Sequence, residues 1–391
     1  MLAQILIGCS ASQLPLGAPA EDRRPSLIRP HVTYGVLYSF EGRHTRDSAH
    51  PNAPIINVNG TFYGTTAGSE RGPARAGSVF TMMPSGTEQV LHLFKGAPKE
   101  GADPRGLINV RGTLFGTTSA GGSSGMGTAY SITPSGTEVT LHNFTGGPAD
   151  GSNPNGLINV NGTLYGTTAA GGTNGDGTVF SLTSSGAETV IYNFKGGKTD
   201  GAKPTAPLID VRGMLYGTTA NDGKGGNGTV FAITPSGAES VLYSFKGGEA
   251  DGAGPLTSLI DFHGMLYGTT WAGGSPHCGN GCGTVFAVTP SGKESVAYIF
   301  EAGTTDGAYP DAPIVAVHGT LYGTTFFGGA SGGGTLFAIT QAGKESMLHS
   351  FGGGGDGDYP EAALLNAAGT LYGTTSQGGT YGAGTIFSLT P

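Results

Sequence analysis

The sequence is poor in charge and contains no long apolar segment. Only 12% of its 391 residues are charged, and acids outnumber bases by 27 to 19, which gives a formal net charge of −8. A sparsely charged, negative surface repels a phosphate backbone, so we expect no nucleic-acid partner. No apolar run approaches the roughly 18 residues that cross a bilayer, so no membrane-spanning helix is predicted.

Cysteine is scarce as well, with three in the chain. Cys278 and Cys282 lie four residues apart in the one repeat loop that is longer than its equivalents. A disulfide there would suit an exported protein. Zinc held by both cysteines and His277 is the alternative, but three ligands on one short loop leave a tetrahedral site incomplete. We therefore favour the disulfide.

The third cysteine, Cys9, follows Leu-Ile-Gly and resembles the lipobox cysteine of bacterial lipoproteins, which carries the lipid. Only eight residues precede it, fewer than a signal peptide needs, so a chance cysteine in a terminal segment is the alternative. Residues 1–30 contain no repeat, and from residue 10 onward they are rich in proline, alanine and arginine. We predict a truncated signal and flexible tether over 1–30, and a folded domain over 31–391.

Familiar catalytic and cofactor-binding motifs are missing. The chain has no phosphate-binding loop, no dinucleotide fingerprint and no His-Glu-x-x-His pair. Residues 121–125 and 329–333 match Gly-x-Ser-x-Gly, but that motif marks a nucleophile only on a strand-to-helix turn. Both matches fall in glycine-rich loops, so we expect neither a catalytic residue nor a cofactor from these motifs.

Glycine, in contrast, is abundant, and its 74 residues recur at fixed places in a unit of about fifty residues. Aromatic residues recur with the same period: one ends Gly-Thr-Val-Phe or its equivalent, and one ends Val-Leu-Tyr-Ser-Phe or its equivalent, once in each unit. The aromatic residue of (Tyr/Phe)-Gly-Thr-Thr occurs seven times, at Tyr63, Phe115, Tyr165, Tyr216, Tyr267, Tyr322 and Tyr372. The chain therefore contains seven copies of one unit.

Each unit has four short runs of β-branched and aromatic residues bounded by glycine or proline, which predicts four strands, a to d. Asn-Gly and Ser-Gly pairs predict tight hairpins between a and b and between c and d, so each unit is an antiparallel meander. In the fourth unit the strands are expected at 204–211, 214–219, 228–234 and 239–245.

We predict an all-β, seven-bladed β-propeller. A single sheet of this composition leaves both faces apolar, and seven sheets around an axis cover one another. The first strand, at 36–40, has the pattern of a d strand, and the last, at 384–390, has that of a c strand. The closing blade should then join strands a to c from the C-terminal end to strand d from the N-terminal end, which removes an open sheet edge.

The ordered string Leu-Tyr-Gly-Thr-Thr, Gly-Gly, Gly-Thr-Val-Phe, Pro-Ser-Gly and Asp-Gly-x-x-Pro resembles the GloVer repeat of exported bacterial proteins of the choice-of-anchor family. The resemblance covers residues 32–391 and implies an extracytoplasmic protein without an assigned activity. Kelch propellers are more distantly similar in layout. The tryptophan of kelch strand d is missing, and the chain has only Trp271.

Each unit also carries an acid before the proline that opens strand a. We expect each acid to cap the turn of its own Asp-Gly-x-x-Pro loop through nearby backbone amides. The densest acidic group, Asp356, Asp358 and Glu361, is a candidate for structural calcium, with a solvated loop as the alternative. The seven acids are Asp47, Glu100, Asp150, Asp200, Asp251, Asp306 and Asp356.

The units differ most in their aromatic loop residues. Directly after Thr-Thr, units five and six carry Trp271 and Phe326, where the others have alanine or serine. Exposed rings on one arc indicate a binding surface. The alternative is that they pack beneath the Cys278 loop as a small separate core. The b–c and d–a loops of a meander emerge on one face, which should also hold Phe327, Tyr309, Tyr359 and Tyr381.

Together these observations predict a non-enzymatic, extracytoplasmic, lipid-anchored monomer in the periplasm or at the cell surface. We expect its b–c and d–a loops to bind a glycan, a peptide or a cell-envelope protein, without a cofactor other than the calcium considered above. The alternative is a hydrolase or lyase with its active site in the central channel, because some propellers are enzymes. Such an enzyme would need acids, histidines or metal ligands that converge at the channel mouth.

Overall fold

A computed structural model describes residues 32–42, 49–68 and 75–391, and every regular element in these ranges is a β-strand. Seven four-stranded antiparallel sheets form the blades, so the all-β, seven-bladed propeller predicted from the repeats is confirmed. No helix in the described ranges is long and apolar enough to span a membrane. Cys9 and the predicted tether lie outside the described residues.

The strands of blades 1 to 6 follow one another along the chain in the order a to d. Blade 1 has Ile56–Val58, Thr61–Thr66, Ser78–Met82 and Glu88–Leu93; blade 2 has Gly101–Val110, Thr113–Gly121, Thr128–Ile132 and Glu138–Asn143. Blade 3 has Gly151–Val160, Thr163–Gly171, Thr178–Leu182 and Glu188–Asn193; blade 4 has Ile209–Val211, Met214–Thr219, Thr229–Ile233 and Glu239–Ser244. Blade 5 has Ile260–Phe262, Met265–Thr270, Thr284–Val288 and Glu294–Ile299; blade 6 has Val315–Val317, Thr320–Thr325, Thr335–Thr340 and Glu345–Ser350.

Blade 7 closes the ring in the predicted way. Its strands a to c are Leu365–Ala367, Thr370–Thr375 and Thr385–Thr390, and its strand d is Thr33–Ser39 from the other end of the chain. Thr33 lies opposite Thr390 and Ser39 opposite Thr385, with one irregularity in the register between Val36 and Tyr38.

The prediction for strand a of blade 4 was too long. Only Ile209–Val211 pairs with strand b, and Pro207, two residues before it, has no amide hydrogen to donate to a ladder. The preceding Gly201–Ala202 instead pairs with Asn221–Asp222 of the b–c loop. Blades 5 to 7 have equivalent two-residue ladders. In blades 2 and 3 the equivalent pairs are part of the longer ladder between strands a and b. These ladders confirm that the d–a and b–c loops share one face, called the loop face below.

The recurring aromatics form the core between blades. The phenylalanine that ends strand d contacts the strand c aromatic of the next blade at all seven junctions, with ring centroids 4.9 to 5.3 Å apart. The glycine of Tyr-Gly-Thr-Thr makes room for this ring. A Cβ on Gly217 would lie 2.5 Å from Cζ of Phe231, and the same clash occurs in every blade, which explains why this glycine recurs.

Candidate functional site

A cavity of about 580 Å³ lies where the first segments of strand a from all seven blades converge. Its volume falls within the roughly 300–1,000 Å³ that is typical of small-molecule sites. The residue after the first proline of each Asp-Gly-x-x-Pro loop lines it, and we call these seven residues the channel ring. In blade order the channel ring is Asn52, Arg105, Asn155, Thr205, Leu256, Asp311 and Glu361.

The charged members of the channel ring lie on one arc, formed by blades 6, 7, 1 and 2. Asp311 and Glu361 occupy neighbouring positions, followed around the ring by Asn52 and Arg105. The remaining three members are uncharged. Among them the amide of Asn155 is already used, because it donates to Thr167 Oγ1 at 3.0 Å and to the Pro204 carbonyl oxygen at 2.8 Å.

The two acids have different surroundings. Burial, reinforced by the charge of Glu361, raises the pKa of the Asp311 carboxyl to about 7, and no described residue hydrogen-bonds to it. Glu361 accepts a 2.7 Å hydrogen bond from Ser376 Oγ. Burial raises the pKa of Glu361 too, but this hydrogen bond and the nearby His50 and Arg105 oppose the rise. At neutral pH the pair therefore carries fewer than two full negative charges.

Two polar atoms on the same arc have no partner among the described residues. The Oδ1 atom of Asn52, an acceptor, and the Nε atom of Arg105, a donor, are both buried and unbonded. The other end of the Arg105 guanidinium lies 3.4 Å from a carboxylate oxygen of Asp103. Buried polar atoms normally have a partner, so these two indicate a place for a bound molecule or water.

Five aromatic rings form a continuous group on the loop face of blades 5 to 7, called the aromatic cluster: Trp271, Tyr309, Phe326, Phe327 and Tyr359. Trp271 stacks on Tyr309 with centroids 4.8 Å apart and planes at 30°, and Phe326 stacks on Tyr359 at 4.7 Å and 18°. Trp271 and Phe326 link the two stacks at 5.8 Å. Phe327 contacts Phe326 edge-on at 4.7 Å.

The aromatic cluster and the acids are built from the same two loops. Tyr309 is followed by Pro310 and Asp311, and Tyr359 by Pro360 and Glu361. Both tyrosines have positive φ, 57° and 59°, and the residue before the loop proline has positive φ in every other blade too, so this conformation belongs to the repeated loop. Backbone hydrogen bonds hold the loops together, as Phe326 N donates to the Tyr309 carbonyl oxygen at 2.9 Å.

None of the five rings lines the cavity, but all except Phe327 lie at loop positions that line it in other blades. Ser119 and Ala169, which occupy the Trp271 position in blades 2 and 3, line that cavity directly. Four rings of the cluster are half-buried and Phe327 is 39% exposed. Tyr381, predicted on the same face, is 59% exposed and makes no ring contact with any described residue.

Cys278 and Cys282 form a disulfide, with their Cα atoms 5.1 Å apart. The loop touches the aromatic cluster at one point, since Tyr309 N donates to the Cys282 carbonyl oxygen at 2.7 Å and Tyr309 packs beside the core that contains Cys282. Trp271 and Phe326 are not part of that core. Their ring contacts are with the other members of the cluster.

The recurrent loop acids cap their turns as predicted. Asp200 is typical, because it accepts hydrogen bonds from the amides of Lys195 at 2.9 Å and Gly201 at 2.7 Å. Asp150, Asp251 and Asp306 accept from the equivalent two amides, Glu100 from that of Lys95, and Asp356 from that of Gly357. Asp47 lies outside the described residues.

The three acids suggested as calcium ligands lie in three different environments. Asp356 accepts from the Gly357 amide, and its carboxylate also lies 2.9 Å from His349 Nε2 and bonds to Tyr34. Glu361 lines the cavity, and Asp358 belongs to the ladder with Gln377. In the described ranges, groups with metal-ligand spacing occur elsewhere: His92 with Glu100 and Glu138, and His142 with Asp150 and Glu188.

Comparison with known proteins assigns the chain to a family. The model of the Gloeobacter/Verrucomicrobia repeat matches residues 50–280 and 277–391. The chain belongs to this repeat family. No curated protein matches its sequence.

One solved structure supports a shared fold for this Gloeobacter/Verrucomicrobia repeat protein, and a second is more distantly similar. A puromycin-hydrolyzing peptidase from Mycobacterium tuberculosis is 11% identical, with a TM-score of 0.51 over 86% of this chain and 52% of the peptidase. A Trypanosoma rangeli sialidase, solved with sialic acid, is 12% identical, with a TM-score of 0.47 over 92% of this chain and 59% of the sialidase. The chain thus spans a little over half of each enzyme.

The repeat itself contains the signal for the functional residues that sequence reasoning missed. Asp311, Arg105 and Asn52 were not singled out, because attention went to positions that are constant in all units and to the bulky loop residues. The position after the proline changes in every unit except for one repeated asparagine, while the proline before it stays constant and the residue after it is small in most units. Such a position is free of the packing that fixes its neighbours, which is typical of a residue that faces a cavity.

Proposed function

We propose that this propeller binds a glycan on its loop face, with the aromatic cluster stacking on sugar rings. The observation that carries the proposal is the continuous group of five rings, which includes Trp271 and Phe326 at the position after Thr-Thr where the other five blades have alanine or serine. Aromatic faces pack well against the apolar faces of sugars. The channel ring beside them offers carboxyl, amide and guanidinium groups, which bond to hydroxyls.

The size of the surface favours a glycan over a protein partner. A stable protein interface buries about 800 Å² on each side and centres on exposed apolar anchors. In the aromatic cluster only Phe327 is largely exposed, and the rings already cover one another in two stacked pairs. The central cavity of about 580 Å³ has a volume that suits a small ligand.

The proposal places the protein outside the cytoplasm, attached through lipid on Cys9. The disulfide between Cys278 and Cys282 supports an oxidising compartment, because cytosolic thiols are kept reduced. Mass spectrometry of the mature N-terminus from the native host tests the anchor. We expect a diacylated Cys9 in the membrane fraction, and an unmodified Cys9 in a membrane-free fraction would contradict it.

Hydrolysis or elimination in the central channel is the second candidate function. The observation in its favour is that Asp311 and Glu361 line the cavity and have different surroundings. Different surroundings give two carboxyls different pKa values, which an acid and base pair requires. Chromatography of any bound glycan after incubation with the protein distinguishes the two candidates. An intact glycan supports binding alone, and shortened or unsaturated products support catalysis.

A glycan array followed by calorimetry tests the proposed function. We expect Trp271→Ala and Phe326→Ala to weaken binding of an array hit by on the order of 1–3 kcal/mol, a typical loss for an interface anchor. Tyr381→Ala is the matched control, since Tyr381 is exposed on the same face but lies apart from the cluster, and it should change little. Unchanged affinity with a stability loss of roughly 3–5 kcal/mol would show that the rings are a core instead.

A further inference from the structure

We infer that the central cavity holds a positively charged amine of the bound glycan between Asp311 and Glu361. The inference rests on the proposed glycan binding and narrows it to glycans that carry free amino groups. It requires only the channel ring and its immediate neighbours, all of which the structure describes. The aromatic cluster, whose Tyr309 and Tyr359 lie two residues before the two acids, would hold the sugar ring that carries the amine.

The fold does not need acids at these two positions. Leu256 and Thr205 occupy the same place in blades 5 and 4, and their blades have the same strands and the same core contacts. The channel-ring position therefore accepts an apolar or neutral side chain. A carboxyl that is shielded from water and has no partner costs stability. Asp311 is such a carboxyl, whereas Glu361 has only the hydrogen bond from Ser376 Oγ, and a ligand between the two best explains why acids occupy these positions.

Among the described residues, the basic side chains whose charges act on Glu361 are His50 and Arg105, and each already has another partner. The guanidinium of Arg105 already lies beside Asp103. The Nδ1 atom of His50 lies 2.8 Å from the Ser376 carbonyl oxygen. The whole chain has a formal net charge of −8, so its field attracts cations. An ammonium group has three donors and could serve both carboxylates at once.

The rest of the charged arc suits the sugar that carries the amine. Asn52 Oδ1 can accept a hydrogen bond from a hydroxyl, and Arg105 Nε can donate one, and neither has another described partner. A bare metal ion would use the two acids and the Asn52 oxygen but would leave the Arg105 donor unbonded. It would also leave most of the cavity unfilled. The arrangement therefore favours an organic cation over a metal ion.

Binding of an amine should release a proton near neutral pH. In the free protein the Asp311 carboxyl titrates at about pH 7, because it is buried and lies near Glu361. An ammonium group between the acids favours the ionised form and lowers that pKa. The proton leaves Asp311 for the solvent, no covalent bond changes, and the complex contains two carboxylates and one ammonium.

The experiment compares chitotetraose with its fully deacetylated form by calorimetry at pH 6.5. The two ligands have the same sugar rings and differ in whether the nitrogen is an amide or an ammonium. We expect the deacetylated form to bind at least about tenfold more tightly, with a heat that depends on the ionisation enthalpy of the buffer. Asp311→Asn and Glu361→Gln should each abolish that preference, so that each variant binds the two ligands with similar affinity.

Thr205→Val is the matched control, since it changes an uncharged member of the same ring and should leave the preference intact. Melting temperatures show that each variant folds, which the presence of Leu256 at the equivalent position leads us to expect. Equal affinity for both ligands, or array hits that all lack free amines, would overturn the inference but not the proposed function. No binding to either ligand or to any glycan on the array would defeat the proposed function itself. Competition by CaCl₂ together with no preference for the amine would show a metal site instead.

Discussion

Tyr130 is the only tyrosine among the seven aromatics that end Gly-Thr-Val-Phe or its equivalent, and its hydroxyl makes no hydrogen bond with a described residue. The side chain is completely buried, and its oxygen has no partner among the described residues. Since an unsatisfied buried hydroxyl costs about 1–3 kcal/mol, Tyr130→Phe should raise the free energy of unfolding by about that amount. Chemical denaturation measures the change.

The converse substitution in the next blade checks the interpretation. Phe180 is fully buried in the position equivalent to Tyr130, so Phe180→Tyr should lower stability for the same reason. A stabilising Phe180→Tyr, or a destabilising Tyr130→Phe, would mean that the hydroxyl finds a partner such as buried water.

At the scale of single residues, sequence reasoning identified the capping acids and the aromatic cluster but misplaced Glu361. Glu361 was grouped with Asp356 and Asp358 because the three acids are close in sequence. Tyr359 has positive φ and precedes a proline, so the backbone changes direction between these acids. Glu361 then points into the cavity beside Asp311, which is fifty residues away in the chain. Alignment of the repeats, which gives the two acids equivalent positions in neighbouring blades, would have brought them together.

The closing strand is the element on which the whole ring depends. Phe40 follows strand Thr33–Ser39 and is completely buried against Phe80 of blade 1. Deletion of residues 31–41 should therefore destabilise the protein by at least about 3 kcal/mol, the usual cost of losing one buried aromatic, in addition to an entire ladder. Thermal melts measure the loss.

A deletion of residues 1–25 is the control for this experiment, because it leaves the strand and its pairing with Thr385–Thr390 in place. We expect it to melt close to the full chain. Equal melting temperatures for the two deletions would contradict the idea that closure stabilises the ring.

The hairpins were the most predictable elements and strand a was the least. Asn59 and Gly60 both have positive φ, as the tight turn read from Asn-Gly requires, so the a–b register follows from the turn. Strand a begins in a proline-containing loop that pairs with the b–c loop instead of continuing the blade. Whether such a segment joins the main ladder depends on contacts between loops, which a repeat pattern does not specify.

For the whole molecule, the junctions between blades make stability depend on pH. Burial raises the pKa of Glu188, Glu239 and Glu345 to about 7, and each lies near a capping aspartate. These glutamates bind protons more tightly when folded, so their contribution is complete below about pH 4.5 and is lost as the pH rises through 7. The pKa values of Asp150 and Asp356 are lowered by hydrogen bonds that outweigh burial, so their contribution is lost at acidic pH.

We therefore expect the melting temperature to be highest near pH 5, to fall between pH 5 and 8, and to fall again below about pH 4. Calorimetry across this range provides the test. Glu239→Gln should flatten the decline between pH 5 and 8, since it removes one of the groups that ionise there. A melting temperature that rises steadily from pH 5 to 8 would contradict the predicted protonation of these junctions.

Ring closure by the two chain ends also determines how the propeller responds to mechanical load. Thr33 and Thr390 lie opposite each other at one end of the closing ladder. A force that pulls the two termini apart acts first on that pair and then on Tyr34 and Leu389, so the hydrogen bonds break one after another instead of sharing the load. The propeller should open under tension like a zipper, at the same ladder that secures it at rest.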